Sequence, residues 1–109
     1  DRNPIAVALS DGSVRNAYTV RFLNKRGFSR TFALDVTGLS GAQVQIVGFD
    51  SLTPGRPVFV VGRDQTEEVR VLVTVAGGHR LKKSTDVNFV LTDLGLGEMA
   101  SAKDHFILP

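Results

Sequence analysis

The sequence contains no cysteine and no tryptophan. Without cysteine, the chain cannot form a disulfide, a thiolate zinc site, a cysteine-ligated iron–sulfur cluster or a cysteine nucleophile. The missing disulfide and tryptophan also remove two markers of antibody-type domains. A core built from this chain therefore relies on Val, Leu, Ile, Phe and the single tyrosine, Tyr18.

Long apolar runs and a strong excess of one charge are also missing. No stretch approaches the roughly 20 apolar residues of a membrane-spanning helix, and no signal-peptide pattern opens the sequence. Thirteen basic residues stand against 11 acidic ones, for a net charge of +2. Nucleic-acid binders usually present a strongly basic face interleaved with aromatic residues, so we expect no nucleic-acid partner.

The length of 109 residues suits one domain with a core of its own. We therefore predict a single domain over residues 1–109. Because the first residue is Asp1 rather than Met, we expect a processed chain or a piece cut from a longer protein.

The feature that dominates the sequence is an alternation of apolar residues with period two. No segment sustains the apolar spacing of an amphipathic helix, so we expect almost no helix. Each alternating run predicts a strand with one buried face. The apolar members of the runs are Tyr18, Val20 and Phe22, then Phe32, Leu34 and Val36, then Val69, Val71, Val73 and Val75, then Val87, Phe89 and Leu91.

Turn signals such as Asp11-Gly12, Pro54-Gly55 and Gly77-Gly78 separate these runs about every 8 to 12 residues. This pattern predicts an all-β immunoglobulin-like or fibronectin type III-like β-sandwich of about seven or eight antiparallel strands. A small barrel is the alternative, because periodicity does not show how a sheet closes. The predicted strands are Ile5 to Leu9, Val14 to Asn24, Arg30 to Thr37, Gln43 to Phe49, Pro57 to Val61, Glu67 to Val75, Thr85 to Asp93 and Met99 to Leu108.

The string GLGEMA, Gly95 to Ala100, matches a dinucleotide-binding fingerprint. That motif binds a pyrophosphate only where a strand precedes it and a helix follows. The nine residues after Ala100 read as a strand, so we interpret the string as a hairpin turn. No G-x-S-x-G elbow occurs either, and GLSGA has the wrong spacing for one.

Other chemistry-bearing residues are dispersed. His79 and His105 lie far apart with no third ligand at metal spacing, although imidazole and the Met99 thioether would suit copper if the fold brought them together. We expect the carboxylates to be solvated surface groups and predict no catalytic, cofactor or metal site. The carboxylates concerned are Asp35, Asp50, Asp64, Glu67, Glu68, Asp86, Asp93, Glu98 and Asp104.

Two basic clusters fall in predicted loops, where most such clusters are simply solvated. One combines Lys25, Arg26 and Arg30, and the other spans residues 79–83, HRLKK. In an immunoglobulin topology the first cluster lies at the same end as Arg63 and the N-terminus of the chain. The HRLKK loop lies at the other end.

Four stretches resemble the C-terminal immunoglobulin-like domain of FixG/CcoG-type cytochrome c oxidase accessory proteins. The most specific is DRNPIAVALSDGSVRNAYTVRFLNK, residues 1–25. The likeness continues through TFALDVTGL (31–39), EEVRVLVTVA (67–76) and DVNFVLTD (86–93), and so covers nearly the whole chain.

The resemblance implies an accessory domain of a bacterial inner-membrane protein, beyond its last membrane span and on the periplasmic side. Proteins of that family carry cysteine-ligated iron–sulfur clusters and are associated with copper handling and oxidase assembly. None of those cysteines lies in this chain, so the resemblance implies no cluster-binding residue and no cofactor in it. The expected partners are the membrane portion of the parent chain or an oxidase-assembly protein.

An anionic membrane surface is a further expected partner. Each basic residue near such a surface contributes on the order of 1 kcal/mol to binding. A preceding membrane span would place five cations near the headgroups: Arg2, Lys25, Arg26, Arg30 and Arg63. Two other hypotheses remain, a direct copper-binding or copper-delivery domain and a free-standing extracellular adhesion or binding module.

Overall fold

The computed structural model describes residues 4–48 and 56–109. The strand bounds agree with the alternation to within a few residues, except that Phe49, the predicted end of the fourth strand, lies outside the described residues. The described strands are β1 (Ile5–Ala8), β2 (Val14–Asn24), β3 (Arg30–Thr37), β4 (Ala42–Ile46), β5 (Val58–Val61), β6 (Gln65–Val75), β7 (Ser84–Asp93) and β8 (Met99–Ile107).

The strands form two antiparallel sheets of four. Sheet 1 has the order β1-β2-β6-β4, and sheet 2 has the order β5-β3-β7-β8. The predicted all-β sandwich is confirmed. The barrel alternative is wrong, because among the described strands β1, β4, β5 and β8 each end a sheet instead of pairing with one another.

The connections between the two sheets depart from a simple hairpin order. The chain leaves sheet 2 after β3 to form β4 in sheet 1, returns for β5 in sheet 2, and crosses again for β6. Both β4 and β5 are short edge strands. The longest pairing is that of β2 with β6, which runs in register from Val14 opposite Val75 to Asn24 opposite Gln65.

The core lies between the sheets and follows the predicted alternation. Aromatic rings cross the interior: the Tyr18 ring meets the Phe89 ring edge-on at 4.8 Å, and the Phe22 and Phe59 centroids lie 4.4 Å apart. Such pairs add to the stabilisation from apolar burial. Val20, which we expected inside with Tyr18 and Phe22, is partly buried against this cluster.

Two side chains of β2 connect sheet 1 to β8 through the interior. The Asn16 amide donates to the Ile107 carbonyl and accepts from the Ile107 N–H, both at 2.9 Å. The Tyr18 hydroxyl donates to the His105 carbonyl at 2.8 Å. Burial, with a smaller contribution from Asp104, raises the pKa of Tyr18 above its ordinary value.

Helix is limited, among the described residues, to one 3-10 turn at Gly78–Arg80. The near absence of helix is therefore confirmed. None of the described residues belongs to a helix with the length and apolar character needed to cross a bilayer.

Candidate functional site

Three turns meet at one end of the sandwich: residues 25–29, 62–64 and 94–98. We call this the clasped end. The Asp64 N–H donates to the Arg26 carbonyl at 3.1 Å, and the Leu94 N–H donates to the Thr31 carbonyl at 2.9 Å. The prediction that Arg63 lies beside the Lys25-Arg26 loop is therefore confirmed.

Asn24, the last residue of β2, holds two of these turns together. Its side-chain amide nitrogen lies 2.8 Å from the Phe28 carbonyl oxygen, 3.1 Å from that of Val61 and 3.0 Å from that of Gly62. Its side-chain oxygen accepts from the Arg26 N–H at 3.0 Å. Asn24 is only 1% exposed, so these bonds satisfy a buried amide that would otherwise destabilise the fold.

Asp93, the last residue of β7, holds the third turn. One carboxylate oxygen accepts from the N–H groups of Gly95 and Leu96 at 2.7 and 2.8 Å. The other accepts from the Arg30 guanidinium at 2.6 Å. The Arg30 hydrogen bond, together with those from the turn backbone, lowers the pKa of Asp93 below its ordinary value.

The expectation that Asp93 is a solvated surface carboxylate is therefore wrong, since the residue is 2% exposed. It occupies an inward position of β7, in phase with Val87 and Phe89. The same parity places Asn24 inside β2, in phase with Phe22. If the apolar alternation is extended to the last residue of each strand, it predicts that Asn24 and Asp93 both face inward.

Arg30 does not present a free charge at this end. Its side chain is 13% exposed, pairs with Asp93 and with Glu98 at 3.0 Å, and lies 4.8 Å over the Phe32 ring. Arg26 binds the other Glu98 oxygen at 2.6 Å but remains half-exposed. Lys25 and Arg63 are exposed, and neither forms an ion pair with another described residue. Arg2 lies outside the described residues.

The clasped end also carries apolar side chains that face solvent, a feature our sequence reasoning missed. Phe28, Leu94 and Leu96 lie in the turns themselves, and each leaves about half of its surface exposed. The available signal was the occurrence of large apolar residues inside two predicted turns, KRGFSR and DLGLGE. Three more exposed apolar residues lie on the adjoining strand ends, namely Leu23, Val60 and Met99.

The opposite end, which we call the basic end, contains the turns 9–13, 38–41 and 76–83. His79 donates from Nδ1 to the Gly12 carbonyl at 2.7 Å, which connects two of these turns. Arg80, Lys82 and Lys83 are exposed and form no ion pair with a residue that the structure describes. The HRLKK loop therefore lies opposite the Lys25 loop, as predicted.

The candidate copper ligands are not brought together. His79 lies at the basic end, whereas His105 lies on β8 and pairs with Asp86 at 3.0 Å. Met99 lies six residues before His105 on the same strand, roughly 20 Å away. Within residues 4–48 and 56–109, no three His, Asp or Glu side chains are close enough to share a metal ion.

An open cleft of about 390 Å³ lies beside β7 and β8 and includes the His105–Asp86 pair. Both side chains of that pair are largely exposed. The lining of the cleft also includes Thr37, Asn88 and Lys103.

Most of the other carboxylates occupy the surface positions that we expected. Glu68 forms an exposed pair with Arg21 at 3.4 Å, and Asp35 pairs with Arg56 at 3.1 Å. The GLGEMA string forms the turn into β8, as predicted, so no helix follows its glycines. Asp50 lies outside the described residues.

Comparison with known proteins agrees with this architecture. The family model described as "IG-like fold at C-terminal of FixG" matches residues 1–109. The chain belongs to this FixG family. The resemblance drawn from the sequence is therefore confirmed for the family and the fold.

Three relatives have similar sequences. Nitrogen fixation protein FixG of Rhizobium meliloti is 33% identical over all of this chain, which covers 21% of that protein. Protein RdxA of Cereibacter sphaeroides is 39% identical over 96% of this chain and 22% of its own length. Protein RdxB of the same organism is 32% identical over 89% of this chain and 20% of its own. This FixG-family chain therefore spans about a fifth of the length of these relatives.

A solved structure shows the same fold. The crystal structure of a FixG-related protein from Vibrio parahaemolyticus superimposes with a TM-score of 0.74, covering 97% of this chain and 93% of that one. The sequence identity is 21%.

Proposed function

We propose that this FixG-family chain is a non-catalytic accessory domain of a membrane-bound, iron–sulfur-containing redox protein that supports copper handling and assembly of a haem–copper oxidase. The domain steadies the parent or docks a partner and carries no reacting group. The observation that supports this role best is the match of the whole chain to a C-terminal domain family, combined with a core that is closed between two sheets.

The side-chain chemistry is consistent with this proposal. The most buried polar groups, Asn16, Asn24 and Asp93, all bond to backbone or to Arg30, so they hold the fold together instead of facing a cavity. The parent's iron–sulfur clusters would be ligated elsewhere, since this chain has no cysteine. Its partners would be the membrane portion of the parent chain or an oxidase-assembly protein.

An exchange experiment tests the accessory role. The experiment uses bacteria that depend on a full-length parent protein. In that parent, residues 1–109 are replaced with an unrelated sandwich domain. We expect oxidase activity to fall while the iron–sulfur electron paramagnetic resonance signal of the purified parent stays unchanged. Unchanged oxidase activity would contradict an accessory role, and loss of the cluster signal would show a direct part in cofactor retention.

The proposed location is the periplasmic side of the inner membrane. A reporter enzyme that works only in the periplasm is fused after Pro109 in the full-length parent, and we expect it to be active. The matched fusion with a reporter that works only in the cytoplasm should be silent. The reverse pattern would contradict the location.

The copper-binding alternative has its own test. Titration of the purified chain with Cu(I) and Cu(II) should show no tight stoichiometric site, because His79, His105 and Met99 lie apart. A tight site that is lost in the His105→Ala or Met99→Ala variant would make the domain a direct participant in copper delivery.

A further inference from the structure

Three side chains at the clasped end are apolar, exposed and carried on turns whose backbone bonds to buried side chains. Phe28, Leu94 and Leu96 are 49%, 48% and 47% exposed. Their turns are bonded to the buried side chains of Asn24 and Asp93. A turn that is already ordered can present an apolar group to a binding partner without the entropy cost of first ordering a loop. An exposed cluster of this kind indicates an interaction surface.

The turns of the clasped end, residues 25–29, 62–64 and 94–98, also carry cations. Lys25 and Arg63 are exposed and have no ion-pair partner among the described residues, and Arg26 is half-exposed beside Glu98. Asp64 is the acidic residue of these turns that is exposed without a salt bridge to a described residue. The clasped end therefore exposes more unpaired positive than negative charge, next to apolar groups.

An anionic lipid bilayer fits this combination. Its headgroups attract basic side chains, and the zone just beneath them accepts apolar ones. We propose that the clasped end inserts Phe28, Leu94 and Leu96 into the interfacial zone of an anionic membrane, with Lys25 and Arg63 at the headgroups. This inference rests on the proposed function, because it requires a membrane beside the domain.

The direction of β1 is compatible with this orientation. Ile5 lies opposite Ala17 and Ala8 lies opposite Val14, so the strand runs away from the clasped end. In a parent whose C-terminal part is this domain, the preceding chain leads into β1 at Ile5, which is the end of that strand nearer the clasped end. A membrane span in that preceding chain would hold this end near the bilayer.

The basic end provides an internal comparison, because charge alone would favour it. Arg80, Lys82 and Lys83 are exposed there, but none of the described large apolar residues of its turns is exposed: Leu39 and Leu81 pack against the core. Affinity for a bilayer depends on inserted apolar area as well as on charge. If apolar insertion drives binding, the clasped end faces the bilayer. If electrostatic attraction alone drives binding, the basic end faces it.

Vesicle sedimentation of the purified 109-residue chain tests the proposal. The probes are vesicles of phosphatidylcholine alone and vesicles in which phosphatidylglycerol replaces part of it. We expect stronger binding to the anionic vesicles. The Phe28→Ser/Leu96→Ser variant should bind them roughly tenfold more weakly, because it loses apolar area that would leave water. The Lys25→Glu/Arg63→Glu variant should bind several-fold more weakly.

Matched control variants remove the same type of side chain elsewhere. Val7→Ser/Val47→Ser deletes two apolar side chains that are 46% and 49% exposed outside the clasped end, and it should not change binding. Lys82→Glu/Lys83→Glu makes the same charge change at the basic end and should have much less effect than its counterpart. All eight substituted side chains are exposed, so each variant should keep the fold.

Fluorescence gives a second readout that does not depend on affinity alone. The chain has no tryptophan, so a Leu96→Trp variant reports from one position. Its emission should shift to the blue with anionic vesicles and be quenched by brominated lipid. A Lys82→Trp variant at the basic end should show neither change.

Several results would overturn the inference. These are no binding to either lipid mixture, loss of binding only in Lys82→Glu/Lys83→Glu, and binding to native membranes but not to pure lipid, which would reveal a protein partner. If vesicles are bound but the domain exchange leaves oxidase activity unchanged, the accessory role fails and the membrane contact stands. If the exchange lowers oxidase activity but vesicles are not bound, only the membrane contact fails.

Discussion

The two ends of this sandwich are held together by different means. At the clasped end, the buried side chains of Asn24 and Asp93 bind the backbone of three turns and a largely buried arginine. At the basic end, glycines let backbone and side chains approach closely: a Cβ on Gly38 would lie 2.5 Å from the Asp86 carbonyl oxygen, and one on Gly78 would lie 2.9 Å from Val14.

This difference matters for what each end can present to a partner. The turns of the clasped end bond through their backbone to buried polar groups and carry apolar side chains outward, among them Phe28 and Leu96. Among the exposed side chains on the turns of the basic end are the cations Lys82 and Lys83, whereas Leu39 and Leu81 pack against the core. The basic end can attract an anion, whereas the clasped end can also bury apolar area.

The largest effect is expected when the polar clamp of the clasped end, meaning the hydrogen bonds of the Asn24 side chain, is removed. Asn24→Ala leaves three carbonyl oxygens and the Arg26 N–H without their partner. Because buried polar groups without partners are destabilising, we expect the free energy of unfolding in urea to fall by about 3 kcal/mol. Thr19→Ala, at an exposed position of the same strand, should cost about 0.5 kcal/mol or less. A loss below about 1 kcal/mol for Asn24→Ala would show that the turns hold without the clamp.

The second prediction concerns the glycine contacts of the basic end. Gly38 has φ of 102° and no room for a Cβ, so Gly38→Ala should destabilise the chain by about 2 kcal/mol. Gly41→Ala is the control, since Gly41 has φ of 68° but no atom within 4 Å of the added Cβ. It should cost only about 1 kcal/mol. Equal losses would mean that backbone conformation, not close approach, makes Gly38 necessary.

The third prediction uses pH to compare the ends. The pKa values of Asp93 and Asp11 are both lowered, the first mainly by Arg30 and the second mainly by the Ser13 hydroxyl. As the pH falls through the ordinary value of 3.8, the unfolded chain takes up these protons first, so stability falls below about pH 4. Asp93→Asn should therefore reduce the slope of stability against pH in this range.

Urea unfolding at several pH values measures that slope. Asp11→Asn is the matched variant at the basic end, and we expect it to reduce the slope less, because Asp11 is exposed and has no cation bonded to it within the described chain. An unchanged slope in Asp93→Asn would show that Arg30 does not favour the ionised carboxylate.

The smallest effect is expected for the contact between two turns of the basic end. His79→Ala removes the hydrogen bond to the Gly12 carbonyl, which remains accessible to water. We expect a loss of less than about 1 kcal/mol, measured by thermal unfolding at neutral pH. A larger loss would mean that this end also depends on a side-chain clamp.

Much of the fold could be predicted from particular residues. The alternation of Val69, Val71, Val73 and Val75 indicated both the strand and its buried face, since a period of two is a local property of extended chain. The glycine-rich string before β8 indicated a turn for the same local reason. The role of Asn16 was missed, because this polar residue occupies an inward-facing position of β2. Only the position of Ile107 in the structure shows which groups bond to its amide.

The candidate site was harder to predict. The sequence groups Arg30 with Lys25 and Arg26 in a basic loop, yet Asp93 and Glu98, more than 60 residues away in the chain, pair with it. Likewise, no local pattern showed that Phe28 and Leu96 share a surface. Both facts depend on which strands are neighbours.

The sequence by itself therefore determined the class of fold, the inward faces of β2, β3, β6 and β7, and the family. Only the tertiary structure decided the order of the strands in the two sheets, the partners of Arg30 and the grouping of the three turns at the clasped end. The physical reason is one of range: apolar alternation acts between residues two apart, whereas sheet pairing joins residues such as Asn24 and Gln65 that are distant in the chain.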